Sequence, residues 1–214
     1  MMFMSLKKPI EATRQPIAIR SEPKPFRIPN EFYPTPPEAV RALLSKESFD
    51  GSIWEPACGD GAIAKVLQAA GHRVVASDLH GYGYDGALTS IDFLKEPIGR
   101  AKHIVTNPPY GFGLADAFVR KALELTAPLG GKVAMLINMA SLNHASRTPF
   151  YQQQPPARIY AVDDIVCWPT DRYGPAPAYF AKHRYVWAIW EHGHRGTTTF
   201  EWVASAPFRT TSKP

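Results

Sequence analysis

Apolar residues along this chain follow two patterns, stripes at helical spacing and short unbroken runs. Stripes such as Ile63, Val66 and Leu67 predict helices, which cover residues 36–44, 62–70 and 114–125. The unbroken runs predict seven strands, at residues 53–54, 73–77, 103–106, 132–137, 158–162, 184–190 and 198–203. Because helices separate the early strands but not the last three, the pattern predicts a doubly wound, mostly parallel α/β sheet of seven strands with an antiparallel edge.

Length and composition fit one folded domain that is preceded by an arm. The chain has 214 residues, of which 45% are hydrophobic, enough to bury one substantial core. Residues 1–30 contain five prolines, six basic and two acidic residues and no apolar period, so we expect a flexible basic arm there and the folded domain in residues 31–214. The arm carries +4 of the net charge of +5. It is either a solvated tail or a segment that contacts nucleic acid.

The chain carries no pattern typical of secretion or membrane insertion. Cys58 and Cys167 are its only cysteines, and its first residues lack the apolar run of a signal peptide. No segment approaches the ~18 consecutive apolar residues that are needed to cross a bilayer. These features predict a reduced, cytoplasmic protein without a membrane partner.

A glycine-containing segment lies where the first predicted strand leads into a helix. Residues 55–61 read Glu-Pro-Ala-Cys-Gly-Asp-Gly, and glycines at such a turn let the backbone approach a ligand closely. Asp78 follows Gly59 by 19 residues, at the end of the next strand, where a carboxylate can hold ribose hydroxyls. Gly59, Gly61 and Ala64 also satisfy the dinucleotide-binding fingerprint, so this segment alone leaves an NAD site open.

A second motif, Asn107-Pro108-Pro109-Tyr110, follows a later predicted strand. An exocyclic amino nitrogen is a poor nucleophile because its lone pair is delocalised into the base ring. A site that accepts one N–H at the Asn107 side-chain oxygen and the other at the Pro108 carbonyl favours a pyramidal nitrogen with its lone pair free to attack. Proline restricts the backbone that carries this carbonyl, and the Tyr110 ring offers a face for a planar base. The tetrad therefore indicates group transfer to an amino nitrogen, a chemistry that no dehydrogenase needs.

In their order along the chain, these motifs resemble the adenine-specific DNA methyltransferases of the class I, Rossmann-like superfamily. The resemblance covers about residues 33–140 and implies S-adenosylmethionine as the cofactor. It implies a catalytic tetrad, which comprises Asn107, Pro108, Pro109 and Tyr110. It also implies a cofactor site, which comprises Tyr33, Thr35, Glu55, Pro56, Ala57, Cys58, Gly59, Gly61, Asp78, Leu79, Asp92 and Phe93. By this resemblance Tyr33 and Thr35 help to hold the methionine moiety, and Asp78 holds the ribose. Asp92 would accept a hydrogen bond from the cofactor's adenine, and Phe93 would pack on its ring.

The expected substrate is the 6-amino group of adenine in DNA, which makes nucleic acid the expected partner. The 4-amino group of cytosine is a chemically similar target, and RNA bases and a protein glutamine amide also stay open, because the tetrad reports the geometry of the nitrogen rather than the polymer attached to it. A non-catalytic nucleic-acid-binding protein and an NAD-dependent dehydrogenase are hypotheses from other classes, and the intact tetrad opposes both. Loops at residues 138–156 and 167–183 are expected to frame the substrate site. Three aromatic residues there either pack locally or stack on the substrate: Trp168, Tyr173 and Tyr179.

No metal site is expected. His192 and His194 lie near a strand end without a neighbouring cysteine or acidic cluster, which is typical of a solvated turn. Methyl transfer from a sulfonium needs no metal, because the methyl group is already activated and the protein supplies in-line geometry. Cys58 is predicted to be a small packing residue, since the chemistry needs no covalent nucleophile.

Overall fold

The computed structural model describes residues 27–209, so the expected arm lies outside the described residues except for residues 27–30. The α-helices of the described part are α1 (Pro37–Leu44), α2 (Ala62–Ala69), α3 (Leu114–Thr126), α4 (Thr148–Gln153) and α5 (Thr170–Tyr173). The strands are β1 (Ile53–Glu55), β2 (Val74–Ser77), β3 (Ala87–Leu88), β4 (His103–Thr106), β5 (Lys132–Asn138), β6 (Arg158–Val162), β7 (Tyr185–Glu191) and β8 (Thr199–Val203). None of the helices between residues 27 and 209 has the length and apolar character of a membrane span.

The strands form a single sheet in the order β3-β2-β1-β4-β5-β7-β6-β8. Strand β7 runs antiparallel to its neighbours β5 and β6, and the other adjacent pairs are parallel. The predicted fold class, a mostly parallel α/β sheet with antiparallel pairing toward one edge, is confirmed. The sheet has eight strands instead of the seven predicted, because β3 is only two residues long and lies in a loop where no apolar run marks it.

The helices cover the sheet on both faces. Successive residues of a strand point to opposite faces, and in β5 Leu136 belongs to the apolar cluster under α1 and α2, whereas Met135 belongs to the cluster under α3. Helix α1 buries Val40 and Leu43 along one side, as its apolar spacing predicts. Two buried faces explain why the central strands read as unbroken apolar runs.

The order of the strands places a crevice between β1 and β4. From β1 the sheet continues outward to β2 and β3, and the chain then returns to β4 on the other side of β1 and continues to β5. In open α/β sheets, ligands bind at the carboxyl ends of the strands where the strand order reverses. The glycine segment follows β1 and the tetrad follows β4, so both motifs border this crevice.

Candidate functional site

A cavity of about 530 Å³ occupies the crevice, a volume typical of small-molecule sites. The predicted cofactor residues and the tetrad all line it except Gly61, whose neighbours Asp60 and Ala62 do. The structure therefore brings residues from five separate stretches of sequence around one space. The cavity is also lined by residues that the motifs did not predict, among them Arg27, Ile28, Asn30, Glu31, Phe32, Tyr82, Leu114 and Phe118.

The loop after β1 is shaped by its glycines and by Asp78. Gly59 and Gly61 adopt φ angles of +54° and +79°, in the left-handed region that residues with a Cβ resist. The Asp78 carboxylate accepts one hydrogen bond from the Gly59 N–H at 2.9 Å and another from the His80 N–H at 2.8 Å. A Cβ on Gly59 would lie 2.9 Å from the Phe32 ring. The backbone at Gly59 therefore faces the cavity without a side chain, and its hydrogen bond to Asp78 holds it in place.

Glu55 provides a buried carboxylate with an unsatisfied oxygen. Its Oε2 is buried and has no hydrogen-bond partner within the described residues. Burial raises the pKa of Glu55 well above its ordinary value, and the carboxylates of Asp60 and Asp78 raise it further. A buried acceptor of this kind is satisfied by a cationic or donating ligand. The residues present thus fit S-adenosylmethionine, whose methionine moiety carries an ammonium group.

We expect Glu55 to make the ligand-free protein less stable as pH rises. Above the ordinary pKa of 4.5, the unfolded chain releases the Glu55 proton while the folded protein, with its raised pKa, still holds it. The unfolded state then binds fewer protons, so the free energy of unfolding falls until pH exceeds the folded-state pKa. Glu55→Gln, which is neutral at every pH, should abolish this part of the decline. Thermal unfolding of the wild type and the variant across this pH range measures the effect.

Glu47 offers a matched control of opposite sign. Burial alone would raise the pKa of this glutamate, but hydrogen bonds from Arg158, Lys132 and the Tyr160 hydroxyl bring it below its ordinary value. A lowered pKa contributes stability at neutral pH that is lost as pH falls. Glu47→Gln should therefore destabilise the protein at neutral pH, where Glu55→Gln stabilises it. Identical pH profiles for the wild type and Glu55→Gln would contradict the raised pKa of Glu55.

The residues expected near the adenine of the cofactor are anchored to the core. Asp92 accepts a hydrogen bond from the Leu94 N–H at 3.2 Å and so caps a short 3-10 helix. The ring of Phe93 is buried, with its centroid 5.1 Å from that of Trp54 and 4.7 Å from that of Phe118. Phe93 is thus both a core residue and part of the cavity wall. The rigid packing around it fixes the position of Asp92 at the cavity.

The asparagine of the tetrad is hydrogen-bonded at both ends of its side-chain amide. Asn107 Nδ2 donates to the Tyr33 carbonyl at 3.0 Å and to the Thr35 hydroxyl at 3.2 Å. Its Oδ1 accepts a hydrogen bond from the Tyr110 hydroxyl at 2.5 Å. Pro108, which follows directly, is buried in the cavity wall. The amide is therefore held in one orientation by groups on three sides.

Tyr110 makes a contact that the motif did not predict. Besides Asn107 Oδ1, its hydroxyl lies 2.8 Å from the Leu136 carbonyl in the middle of β5, so the single hydroxyl proton is shared between these two acceptors. Burial raises the pKa of Tyr110 well above its ordinary value, and the neighbouring Cys167 and Tyr185 raise it further, so the hydroxyl keeps its proton at neutral pH. Tyr110 thus anchors Asn107 to the sheet. The stacking of its half-buried ring on a planar base stays a prediction.

Aromatic residues outside the motifs cover the cavity next to the glycine loop. Phe32 and Tyr82 stack with their ring centroids 4.4 Å apart and their planes at 15°. The Arg172 guanidinium lies 4.6 Å from the centre of the Phe32 ring on this cover. These residues come from three distant segments, so no local spacing could identify them. The position of Phe32 directly before Tyr33 was the single sequence signal for any of them.

Several residues that were weighed for chemistry pack locally instead. Trp168 is buried, with its ring 4.7 Å from that of Phe180, which favours local packing over stacking on a substrate. Burial raises the pKa of the Cys58 thiol to about 12, which suits a packing residue rather than a nucleophile. His192 is half-buried and lies 2.9 Å from the Thr126 hydroxyl, so it is not the solvated residue that the turn predicted. Among residues 27–209, no cluster of three His, Cys, Asp or Glu side chains is suited to hold a metal ion.

Comparison with known proteins identifies the fold. No protein-family model and no curated protein matches the chain. A solved structure from Listeria monocytogenes, provisionally described as a class I S-adenosylmethionine-dependent methyltransferase, is similar with a TM-score of 0.53 and 13% identity, covering 77% of this chain and 62% of that one. The modification subunit of a provisionally described type I restriction enzyme from Vibrio vulnificus is similar with a TM-score of 0.50 and 15% identity, covering 79% of this chain and 46% of that one. The chain thus spans less than two thirds of either protein, and it has the Rossmann-like fold of class I methyltransferases.

Proposed function

We propose that this chain is an S-adenosylmethionine-dependent methyltransferase that acts on an exocyclic amino nitrogen, most favourably the 6-amino group of adenine in DNA. The observation that carries the proposal is that the glycine loop after β1 and the tetrad after β4 line the same cavity. One motif suits a nucleoside cofactor and the other suits an amino nitrogen. Transfer between two reactants is fast when a site holds both in contact and in line.

Residues at the ends of β1 and β2 would hold the cofactor. The bare backbone at Gly59 permits close approach, and the unsatisfied Oε2 of Glu55 suits the ammonium group of the methionine moiety. Each carboxylate oxygen of Asp78 accepts one backbone hydrogen bond and keeps a second acceptor position, which suits a ribose hydroxyl. When bound, S-adenosylmethionine supplies a methyl group that its positive sulfonium has already activated.

Asn107 and Pro108 would prepare the target nitrogen. An amide oxygen has two acceptor positions, and the Tyr110 hydroxyl uses one of those on Asn107 Oδ1. The other would accept one N–H of the target amino group, while the Pro108 carbonyl accepts the second N–H. Two fixed acceptors favour a pyramidal nitrogen with its lone pair directed at the methyl group. They also stabilise the positive charge that develops on the nitrogen during transfer.

A nucleic-acid substrate is supported by the fold neighbour and by the form of the cavity. The similar protein from Vibrio vulnificus is the modification subunit of a provisionally described type I restriction enzyme. A base reaches a site in a protein cavity after it leaves the helical stack, and such bases are held by stacking and by hydrogen bonds to their edges. The half-buried Tyr110 ring in the cavity wall suits the first of these, and Asn107 with Pro108 suits the second. An RNA base or a glutamine amide presents the same nitrogen and is the alternative.

The proposal is tested by offering radiolabelled S-adenosylmethionine together with duplex DNA, single-stranded DNA, RNA or a protein extract. We expect label in DNA, and nucleoside analysis should recover it as adenine methylated at the 6-amino group. Label in RNA or protein alone would contradict a DNA substrate and support the corresponding alternative. Calorimetric titration with S-adenosylmethionine and with NAD tests the cofactor separately. Binding of NAD in place of S-adenosylmethionine would contradict the proposal.

A further inference from the structure

Thr35 lies directly behind the asparagine of the tetrad. Its side chain is 3% exposed, and its hydroxyl oxygen accepts a hydrogen bond from Asn107 Nδ2 at 3.2 Å. A threonine hydroxyl has one proton and two lone pairs. In this contact the Thr35 oxygen is the acceptor, because Asn107 Nδ2 supplies the proton.

Two acceptors behind Asn107 decide which way its amide points. The Tyr33 carbonyl can only accept, and the Thr35 oxygen accepts from the same NH2 group. Reversal of the amide would bring Oδ1 against the Tyr33 carbonyl, with no donor between these two oxygens. The NH2 group must therefore face the Tyr33–Thr35 segment, and Oδ1 must lie on the opposite side, where the Tyr110 hydroxyl meets it.

We propose that Thr35 is a positioning residue for methyl transfer, which holds Asn107 Nδ2 and thereby keeps Oδ1 available to the target nitrogen. This inference rests on the proposed function and deepens it. It differs from the role in binding the methionine moiety that the resemblance implies for Thr35. A positioning role affects the rate of transfer, whereas a cofactor-binding role affects the affinity for S-adenosylmethionine.

The first test compares Thr35→Val, which removes the hydroxyl but keeps the shape, with Thr35→Ser, which keeps the hydroxyl. We expect Thr35→Val to lower kcat by about two- to tenfold, the effect of one hydrogen bond when the Tyr33 carbonyl still holds the other N–H. Thr35→Ser should restore kcat, and the KM for DNA and the Kd for S-adenosylmethionine should stay near those of the wild type. A Kd that rises while kcat is unchanged would overturn the proposal in favour of cofactor binding.

Thr106 provides the matched control. It precedes Asn107 in the chain, its side chain is fully buried, and its hydroxyl has no hydrogen-bond partner within residues 27–209. Thr106→Val therefore makes the same chemical change beside the same asparagine without removing a bond to it. We expect wild-type kcat for Thr106→Val. A loss of kcat equal to that of Thr35→Val would show a general packing effect and overturn the positioning role.

The second test does not depend on activity. The side-chain amide protons of Asn107, identified by their absence from the NMR spectrum of Asn107→Ala, should exchange with solvent several-fold faster in Thr35→Val than in the wild type. Exchange in Thr35→Ser and Thr106→Val should stay slow. Equal exchange in Thr35→Val and the wild type would show that Thr35 does not hold the amide. If the wild type methylates no acceptor, the proposed function fails, and the exchange rates still decide whether Thr35 fixes Asn107.

Discussion

Asn107→Ala is expected to slow methyl transfer by about a hundred- to a thousandfold while the affinity for S-adenosylmethionine stays near that of the wild type. This loss of rate is the one typical of removing a single fixed hydrogen-bonding group that stabilises charge developing in a transition state. Asn107 contacts the Tyr33–Thr35 segment and Tyr110 but makes no hydrogen bond to the glycine loop within the described residues. Single-turnover transfer to DNA measures the rate, and calorimetric titration measures the affinity.

Asn138 is the control for this substitution. It lies at the end of β5, next to β4 in the sheet, and its Oδ1 accepts a hydrogen bond from the Ala140 N–H at 3.0 Å. Asn138→Ala thus removes an asparagine at the same edge of the sheet but outside the cavity wall, and it should keep the wild-type rate. Transfer by Asn107→Ala at the wild-type rate would end the proposed mechanism, whatever the motif resembles.

Asp78→Asn is expected to weaken S-adenosylmethionine binding by about ten- to a hundredfold. Both carboxylate oxygens accept backbone hydrogen bonds, from Gly59 and from His80. An asparagine has one acceptor oxygen and one donor NH2 group, so one of the two backbone N–H groups would face another donor. Leaving a buried donor unpaired costs about 1–3 kcal/mol. The glycine loop would shift or loosen, and calorimetric titration would report this as lost affinity.

Asp163→Asn separates this effect from a general loss of stability. Asp163 follows β6, and its Oδ1 accepts a hydrogen bond from the Ser205 N–H at 2.5 Å, away from the cavity. Asp163→Asn keeps an acceptor oxygen but removes the negative charge that strengthens this hydrogen bond, so we expect it to lower the free energy of unfolding without changing the affinity for S-adenosylmethionine. Wild-type affinity in a folded Asp78→Asn protein would remove Asp78 from the cofactor site.

Helices α1, α2 and α3 and the strands other than β3 could be predicted from the sequence because the pattern of each depends on neighbouring residues, whereas α4 and α5 lie in segments that were predicted as loops. Val40 and Leu43 recur at helical spacing whatever they pack against, and a central strand such as β5 is apolar throughout because both of its faces are buried. Strand β3 was not predicted, because prediction depends on a local pattern that this strand lacks. Two residues are too few to show a period, and Ala87–Leu88 becomes a strand only because β2 lies beside it.

The sequence by itself determined the two motifs, since a left-handed turn needs glycines such as Gly59 and Gly61 and the tetrad is a contiguous string of four residues. Only the tertiary structure decided how Asn107 is oriented, because its amide is held by Tyr33 and Thr35, which lie 74 and 72 residues away along the chain. A hydrogen bond depends on the distance and direction between its atoms, and the periodicity of one segment does not show where another segment lies in space. The folded sheet determines these positions because it places the ends of its strands side by side.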